Sequence, residues 1–253
     1  MASRPVDVRS TALCALLLAA ALAATSAEAA LRVVAALPDV GDMARQIGGD
    51  RVDVVTLAEG GQDPHKVPMK PSFVTKLNRA DALVVQGLGL EHTFLPALLE
   101  VASNPKILPT GEAYIDASSY VQVLEVPTTQ SRALGELHPL GNPHINLDPV
   151  RGKLMARAIA EGLERVDPAG ASVYRAGLAR YTAFLDQKIA EWERLAAPLR
   201  GVKAVSYHQD LIYLAERFGL ESCPLVAGEV RQRAAVVGVL EIRPERAFLV
   251  HLE

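Results

Sequence analysis

The pattern that most restricts this chain is an alternation of two kinds of apolar segment. Short runs rich in β-branched residues lie at 31–37 (LRVVAAL), 52–57 and 82–85. Between and after them, residues 40–47, 72–80 and 91–102 carry apolar side chains at helical spacing. A strand buried on both faces needs a continuous apolar run, whereas the helix that covers it needs only a stripe, so this order predicts parallel βα units and an α/β fold. Residues 106–108 read as a candidate fourth strand. From 118 to 143 the pattern weakens: a strand-like run at 120–126 precedes the polar Thr128, Thr129, Gln130 and Ser131, which predicts an exposed, partly mobile loop.

The second half opens with helix signals. Asp148-Pro149 offers an N-cap followed by proline at the first helical position, with Met155, Ile159 and Leu163 along one face. Asp167-Pro168 repeats the signal and starts the longest periodic stretch, in which Leu178, Tyr181, Leu185, Ile189, Trp192 and Leu195 recur at steps of three or four before Pro198. A helix of roughly 28 residues is a rod of about 42 Å, long enough to brace two lobes. After Gly201, residues 202–205 read as a strand and 208–217 as a helix, beginning a second α/β unit.

The first residues have a different character. Arg4 and Arg9 precede an apolar stretch at 12–24 and the small-residue sequence Ala27-Glu28-Ala29, which reads as a secretory signal peptide cleaved after residue 29. The apolar run of about 13 residues is shorter than the roughly 20 that span a bilayer. Cys14 falls within this segment, so the mature chain has Cys223 alone and no internal disulfide can support it. A formal net charge of −3 offers no basic excess for phosphate neutralisation, so nucleic acid is not an expected partner.

Chemistry then rests on six histidines. His65 in GQDPH and His144 in GNPH each follow a proline, and His208 in SYHQD follows a strand. Each stands near a strand-to-helix connection, and in an open α/β sheet these connections gather at the carboxyl ends of the strands, where ligands bind. Three neutral imidazoles plus a carboxylate or water complete the tetrahedron that Zn²⁺ prefers. A loop histidine is also an ordinary solvated residue, and sequence spacing alone does not join three of them. His138, with Glu136 nearby in the weakly patterned loop, is a transient metal contact in this reading. His92 reads as a surface position of an amphipathic helix, and His251 lies too near the terminus to interpret. The Gly87-Leu88-Gly89 sequence lacks the third glycine and acidic residue of a dinucleotide site.

Five motifs in order, GQDPH (61–65), KPS (70–72), NRADALVVQGLGLE (78–91), GNPHINLDP (141–149) and SYHQDLIYLAERFGL (206–220), resemble the periplasmic metal-binding solute receptors of ABC importers, and most closely their zinc-type branch. The resemblance implies two small α/β lobes with parallel sheets, joined by a long rigid helix, and one metal held in the cleft. His65, His144 and His208 match the family's histidine ligands. In the manganese-type branch the third is usually a carboxylate, so His208 favours Zn²⁺ over Mn²⁺. The resemblance further implies delivery to a permease and its ATPase at the inner membrane, a monomeric receptor without catalysis, and a periplasmic metallochaperone as a candidate partner.

On this reading residues 1–29 are the signal, 30–148 the N-terminal metal-binding lobe, 149–199 the helical connection and 200–253 a partial C-terminal lobe. From Gly201 onward only 53 residues remain, fewer than a full second lobe needs. The second sheet is expected to hold two strands, the family's late aspartate ligand has no counterpart, and Glu221, Glu229 and Glu241 are unsupported substitutes. A truncated or frame-shifted reading frame is the expectation. Two alternatives stand beside the receptor: a zinc hydrolase using an open three-histidine site, and a truncated product that does not function.

Overall fold

The computed structural model describes residues 29–127, 138–206 and 209–224. Residues 1–28 of the signal peptide expected at 1–29, residues 128–137 with Glu136, His208, Glu229, Glu241 and His251 lie outside the described residues. Four parallel strands, β1 (Leu31–Ala35), β2 (Val52–Thr56), β3 (Ala82–Val85) and β4 (Tyr114–Asp116), form a sheet in the order β2-β1-β3-β4. All four β3 residues, Ala82, Leu83, Val84 and Val85, are fully buried, as the unbroken apolar run requires of an inner strand. β2 lies at the edge and none of its residues is fully buried.

Helix α1 (Pro38–Gly48) follows β1, α2 (Pro71–Arg79) follows β2, and α3 (Leu95–Val101) follows β3. From β1 the chain moves outward to β2, then returns past β1 to β3. The direction reverses between β1 and β3, and a crevice opens at the carboxyl ends of strands on such a reversal. Helix α4 (Pro149–Val166) begins as expected: the Asp148 side chain accepts from the Val150 amide at 2.9 Å, and Pro149 occupies the first turn.

The long helix α5 (Ala171–Ala196) has 26 residues, about 39 Å at 1.5 Å per residue. A short 3₁₀ turn at Pro168–Gly170 precedes it. Gly177 lets α5 approach α1 closely, since a Cβ there would lie 2.0 Å from the Ile47 carbonyl oxygen. Beyond α5, β5 (Lys203–Ser206), α6 (Ile212–Phe218) and β6 (Glu221–Pro224) form a βαβ unit, and β5 and β6 pair in parallel. Among the described residues the fold is thus α/β, with parallel sheets of four and two strands and a long connecting helix. Among the described residues, no helix is long and apolar enough to cross a membrane.

The helix expected at 208–217 runs over Ile212–Phe218, and three other elements differ from the sequence expectation. Residues 106–108 are not the fourth strand: Pro105–Ile107 is a 3₁₀ turn, and the ladder is continued by Tyr114–Asp116. The run at 120–126 forms no strand. The 3₁₀ turn Ala117–Tyr120 leads into it, and Glu125 at φ +52° breaks the extended path. The helix expected from residue 91 starts only at Leu95, because 87–94 is a tight turn. Gly87, Leu88 and Gly89 have φ of +94°, +56° and +75°, and the buried Glu91 carboxylate accepts from the Gln86 amide at 2.7 Å. Burial pushes that carboxyl up to about 7, against the lowering influence of the surrounding amides.

Candidate metal centre

The site is built on loops leaving the carboxyl side of the first sheet. After β2 the chain reaches a 3₁₀ turn at Pro64–Lys66, initiated by Asp63, whose side chain accepts from the His65 amide at 2.9 Å. Proline fixes the turn and presents the imidazole behind it. His144 is set differently. It precedes the 3₁₀ turn Ile145–Leu147 and is only 8% exposed.

Asn142 is the main support of His144. Its Oδ1 accepts from the His144 amide at 3.0 Å and pairs with His144 Nδ1 at 2.9 Å. An amide oxygen only accepts, and the Asn142 Nδ2 is engaged with Glu125 Oε2 at 2.9 Å and with the Gln209 carbonyl. His144 Nδ1 therefore donates, and Nε2 keeps its lone pair for an electrophile. The Asn142 carbonyl in turn accepts from the Tyr213 hydroxyl at 2.6 Å, which ties this loop to α6. From the first sheet, Gln86, next after β3, donates to the Pro143 carbonyl at 2.7 Å and to Asn146 Oδ1 at 3.2 Å. Asn146 also donates to Asp39 at the start of α1. The histidine loop thus lies across the reversal between β1 and β3.

Two of the three sequence-derived candidates come together. His65 Nε2 and His144 Nε2 are 3.4 Å apart. With Zn–N near 2.0–2.1 Å, an edge of a zinc tetrahedron is about 3.3 Å. His138, which the sequence marked only as a transient contact, completes the described cluster: ligand nitrogens of His65, His138 and His144 all lie within 4.8 Å of one another. Ring centres are 5.2 Å apart for His65 and His138, and 5.5 Å for each of the other two pairs. Rings sharing a tetrahedral zinc have centres about 5.2 Å apart. This arrangement can accept a borderline divalent cation with little movement. The signal for His138 in the sequence was weak because its loop carries no periodicity.

His208 lies outside the described residues. Its neighbour Gln209 is the residue whose carbonyl accepts from Asn142. Glu221, weighed as a substitute carboxylate, is exposed at the amino end of β6, 4.0 Å from Lys203, and is not part of the described histidine cluster. Sequence reasoning also missed Asn142 and Gln86 as supports. An asparagine two residues before a histidine is the pattern of an Asx turn and would have pointed to the first.

A second network fastens the lobes beside the cluster. Asp148, fully buried, accepts from Arg217 at 2.8 and 3.0 Å and from Arg151 at 2.6 Å. Burial pushes its carboxyl up, but Arg217, the Val150 amide and Arg151 together hold it below the usual carboxylate range. The Arg151 guanidinium also stacks 4.5 Å over the Tyr213 ring.

A family model described as the periplasmic component A of the zinc-uptake complex matches residues 33–238. The high-affinity zinc uptake system protein ZnuA of Paracoccus denitrificans is 29% identical over 242 residues, covering 81% of this chain and 70% of that protein. The manganese ABC transporter substrate-binding lipoprotein PsaA of Streptococcus anginosus is 29% identical over 160 residues, 62% of this chain. The chain spans 48% of that relative's length. A crystal structure of a ZnuA deletion mutant with zinc bound aligns at a TM-score of 0.66 with 27% identity, over 86% of this chain and 74% of that one. These are solute-binding receptors, not enzymes, which sets the hydrolase alternative aside. The chain belongs to the family of periplasmic metal-binding receptors of ABC importers typified by zinc-uptake component A.

Proposed function

We propose that this chain is a periplasmic zinc receptor, exported through a cleavable signal, that hands Zn²⁺ to an ABC permease driven by its ATPase. The observation that carries the reading is the 3.4 Å separation of His65 Nε2 and His144 Nε2, with His138 beside them. Our ligand set is His65 and His144 with His208, and His138 is available as a further nitrogen. Neutral imidazoles suit a borderline metal better than the hard Mn²⁺, which favours carboxylate and water. The zinc relative and the zinc-bound structure support that preference, while the manganese relative shows that the family as a whole is not restricted to zinc.

The receptor works by binding. With Nδ1 of His144 donating to Asn142, its Nε2 is bare, and zinc requires each ligand ring to be neutral with the bound nitrogen unprotonated. Below the ordinary histidine range near 6.5 the rings carry a second proton that the metal must displace, so affinity falls as pH drops through that range. The test is competition titration with a chromophoric chelator at pH 7.5 and pH 5, for zinc and for manganese. Tight zinc binding at pH 7.5, much weaker at pH 5 and with manganese in a distant second place, is expected. Equal affinity at the two pH values, or full affinity in His65→Ala, removes the ligand assignment. Manganese binding as tightly as zinc removes the metal assignment.

A further inference from the structure

A fourth imidazole stands at the edge of the cluster. The ring of His92 has its centre 6.2 Å from that of His65, with the planes at 51°. It is exposed and lies on the tight turn at 87–94, not on the helix that the sequence suggested. We propose that His92 and His65 form an outer landing position for zinc, from which the ion passes inward to His144 and His138. This inference rests on the metal-receptor reading of the inner cluster.

Three features of the turn support it. First, both the His92 amide and its Nδ1 meet the Gly89 carbonyl, at 3.1 and 2.9 Å. A carbonyl only accepts, so Nδ1 carries the proton and Nε2 presents a bare lone pair. Metal-ligating histidines are commonly held by such a bond from the other ring nitrogen, and His144 has the same device. Second, the carrier is fixed. Three successive residues at positive φ, Leu88 among them, fold around the buried Glu91 carboxylate, and Phe94 and Leu95 anchor the following turn in the core. Backbone of this kind persists where the surroundings over-determine it, and it gives an exposed ring one presentation.

Third, the distance suits an outer position. Two rings on one zinc have centres about 5.2 Å apart at a tetrahedral angle and about 6.4 Å apart when the nitrogens are opposed. The His92–His65 separation is therefore too wide for the inner tetrahedron but short enough for an ion held by two nitrogens and completed by water. An exposed side chain can close the roughly 1 Å difference. With His65 common to both positions, inward transfer needs only the exchange of His92 for His144 or His138, and the ion is never fully released.

Zinc alone is the probe. His144→Ala removes the fixed ligand of the inner cluster and leaves His65 and His92, with His138 and His208 present in every variant compared, so that the added loss on His92→Ala reports the outer position. It is expected to retain weak zinc binding in a chelator competition titration, and adding His92→Ala should weaken that residual binding by about tenfold or more. In the otherwise wild-type chain, His92→Ala should slow zinc association by about fivefold or more in stopped-flow mixing. His92 is exposed, so the substitution is not expected to alter the unfolding midpoint, and urea denaturation checks this. Residual binding that is absent in His144→Ala, residual binding indifferent to His92→Ala, or association as fast as wild type each overturns the proposal. The inner-site reading fails on a different result, namely a wild-type chain that binds zinc no more tightly than His144→Ala.

Discussion

The two proline-histidine loops carry the same short motif on very different supports. At 141–148, His144, Asn142 and Asp148 are all buried, and their bonds run to β3 through Gln86 and to α6 through Tyr213 and Arg217. At 58–71, the backbone of His65 is set by an Asx turn from Asp63 on a more exposed loop, with Lys66 pairing across the outside of that turn at 81% exposure and Met69 exposed. One imidazole is therefore held before the metal arrives, and the other can adjust to it. A preorganised nitrogen lowers the ordering cost of binding, and an adjustable one lets the ion come and go. A site that must both capture and surrender its cargo has use for each.

The comparison can be broken in several places. The largest effect is expected from His144→Ala: removing the fixed ligand should raise the zinc Kd by more than the roughly 100-fold upper end known for outer-shell partners, measured by chelator competition. Asp148→Asn comes next, and it is a stability effect. Leaving Arg217 and Arg151 without their buried carboxylate should cost roughly 3 kcal/mol in urea unfolding. The Asp148 carboxyl is held below its usual range, so its contribution is full above the unfolded value near pH 4 and is lost as pH falls through the lower folded value. The gap between wild type and Asp148→Asn should therefore narrow in acid, and a gap that widens there would contradict the assignment.

Asn142→Ala should weaken zinc by roughly 10–100-fold, because His144 loses the acceptor that fixes its tautomer. Asn142→Asp keeps that acceptor while losing the donor to Glu125 and Gln209, and should fall between Ala and wild type. The smallest effect is assigned to Asp63→Ala, about two- to threefold in Kd, since an exposed Asx turn contributes little. If Asp63→Ala costs as much as Asn142→Ala, the two loops are equally supported and the distinction between them collapses.

Most of the first lobe was legible because its signals are local. LRVVA, ALVV and the Asp148-Pro149 start each declare themselves within a few residues. Tyr114–Asp116 did not, since three residues carry no periodicity and only pairing with β3 makes them a strand. Residues 106–108 misled for the opposite reason: the apolar pair Ile107-Leu108 imitates a strand, while Pro105 sets a turn. His65 and His144 could be read from their prolines and from the resemblance. His138 and His92 could not be placed, because their closeness to His65 depends on how two distant loops meet. The support given by Gln86 was hidden likewise, 57 residues from the carbonyl it holds.

The reversal between β1 and β3 has an electrostatic consequence. In sheets of this kind the amino ends of helices converge on the crevice and carry partial positive charge, which is why nucleotide phosphates settle there. A divalent cation brought by neutral imidazoles meets an unfavourable field unless something offsets it. Asp39 in the first turn of α1 and Asp148 capping α4 place carboxylates at the helix ends nearest the histidine loop. Asp148 caps its helix while Arg217 and Arg151 balance its charge, so Asp39 is the carboxylate that offsets the field at these helix ends and makes the crevice more hospitable to a metal ion.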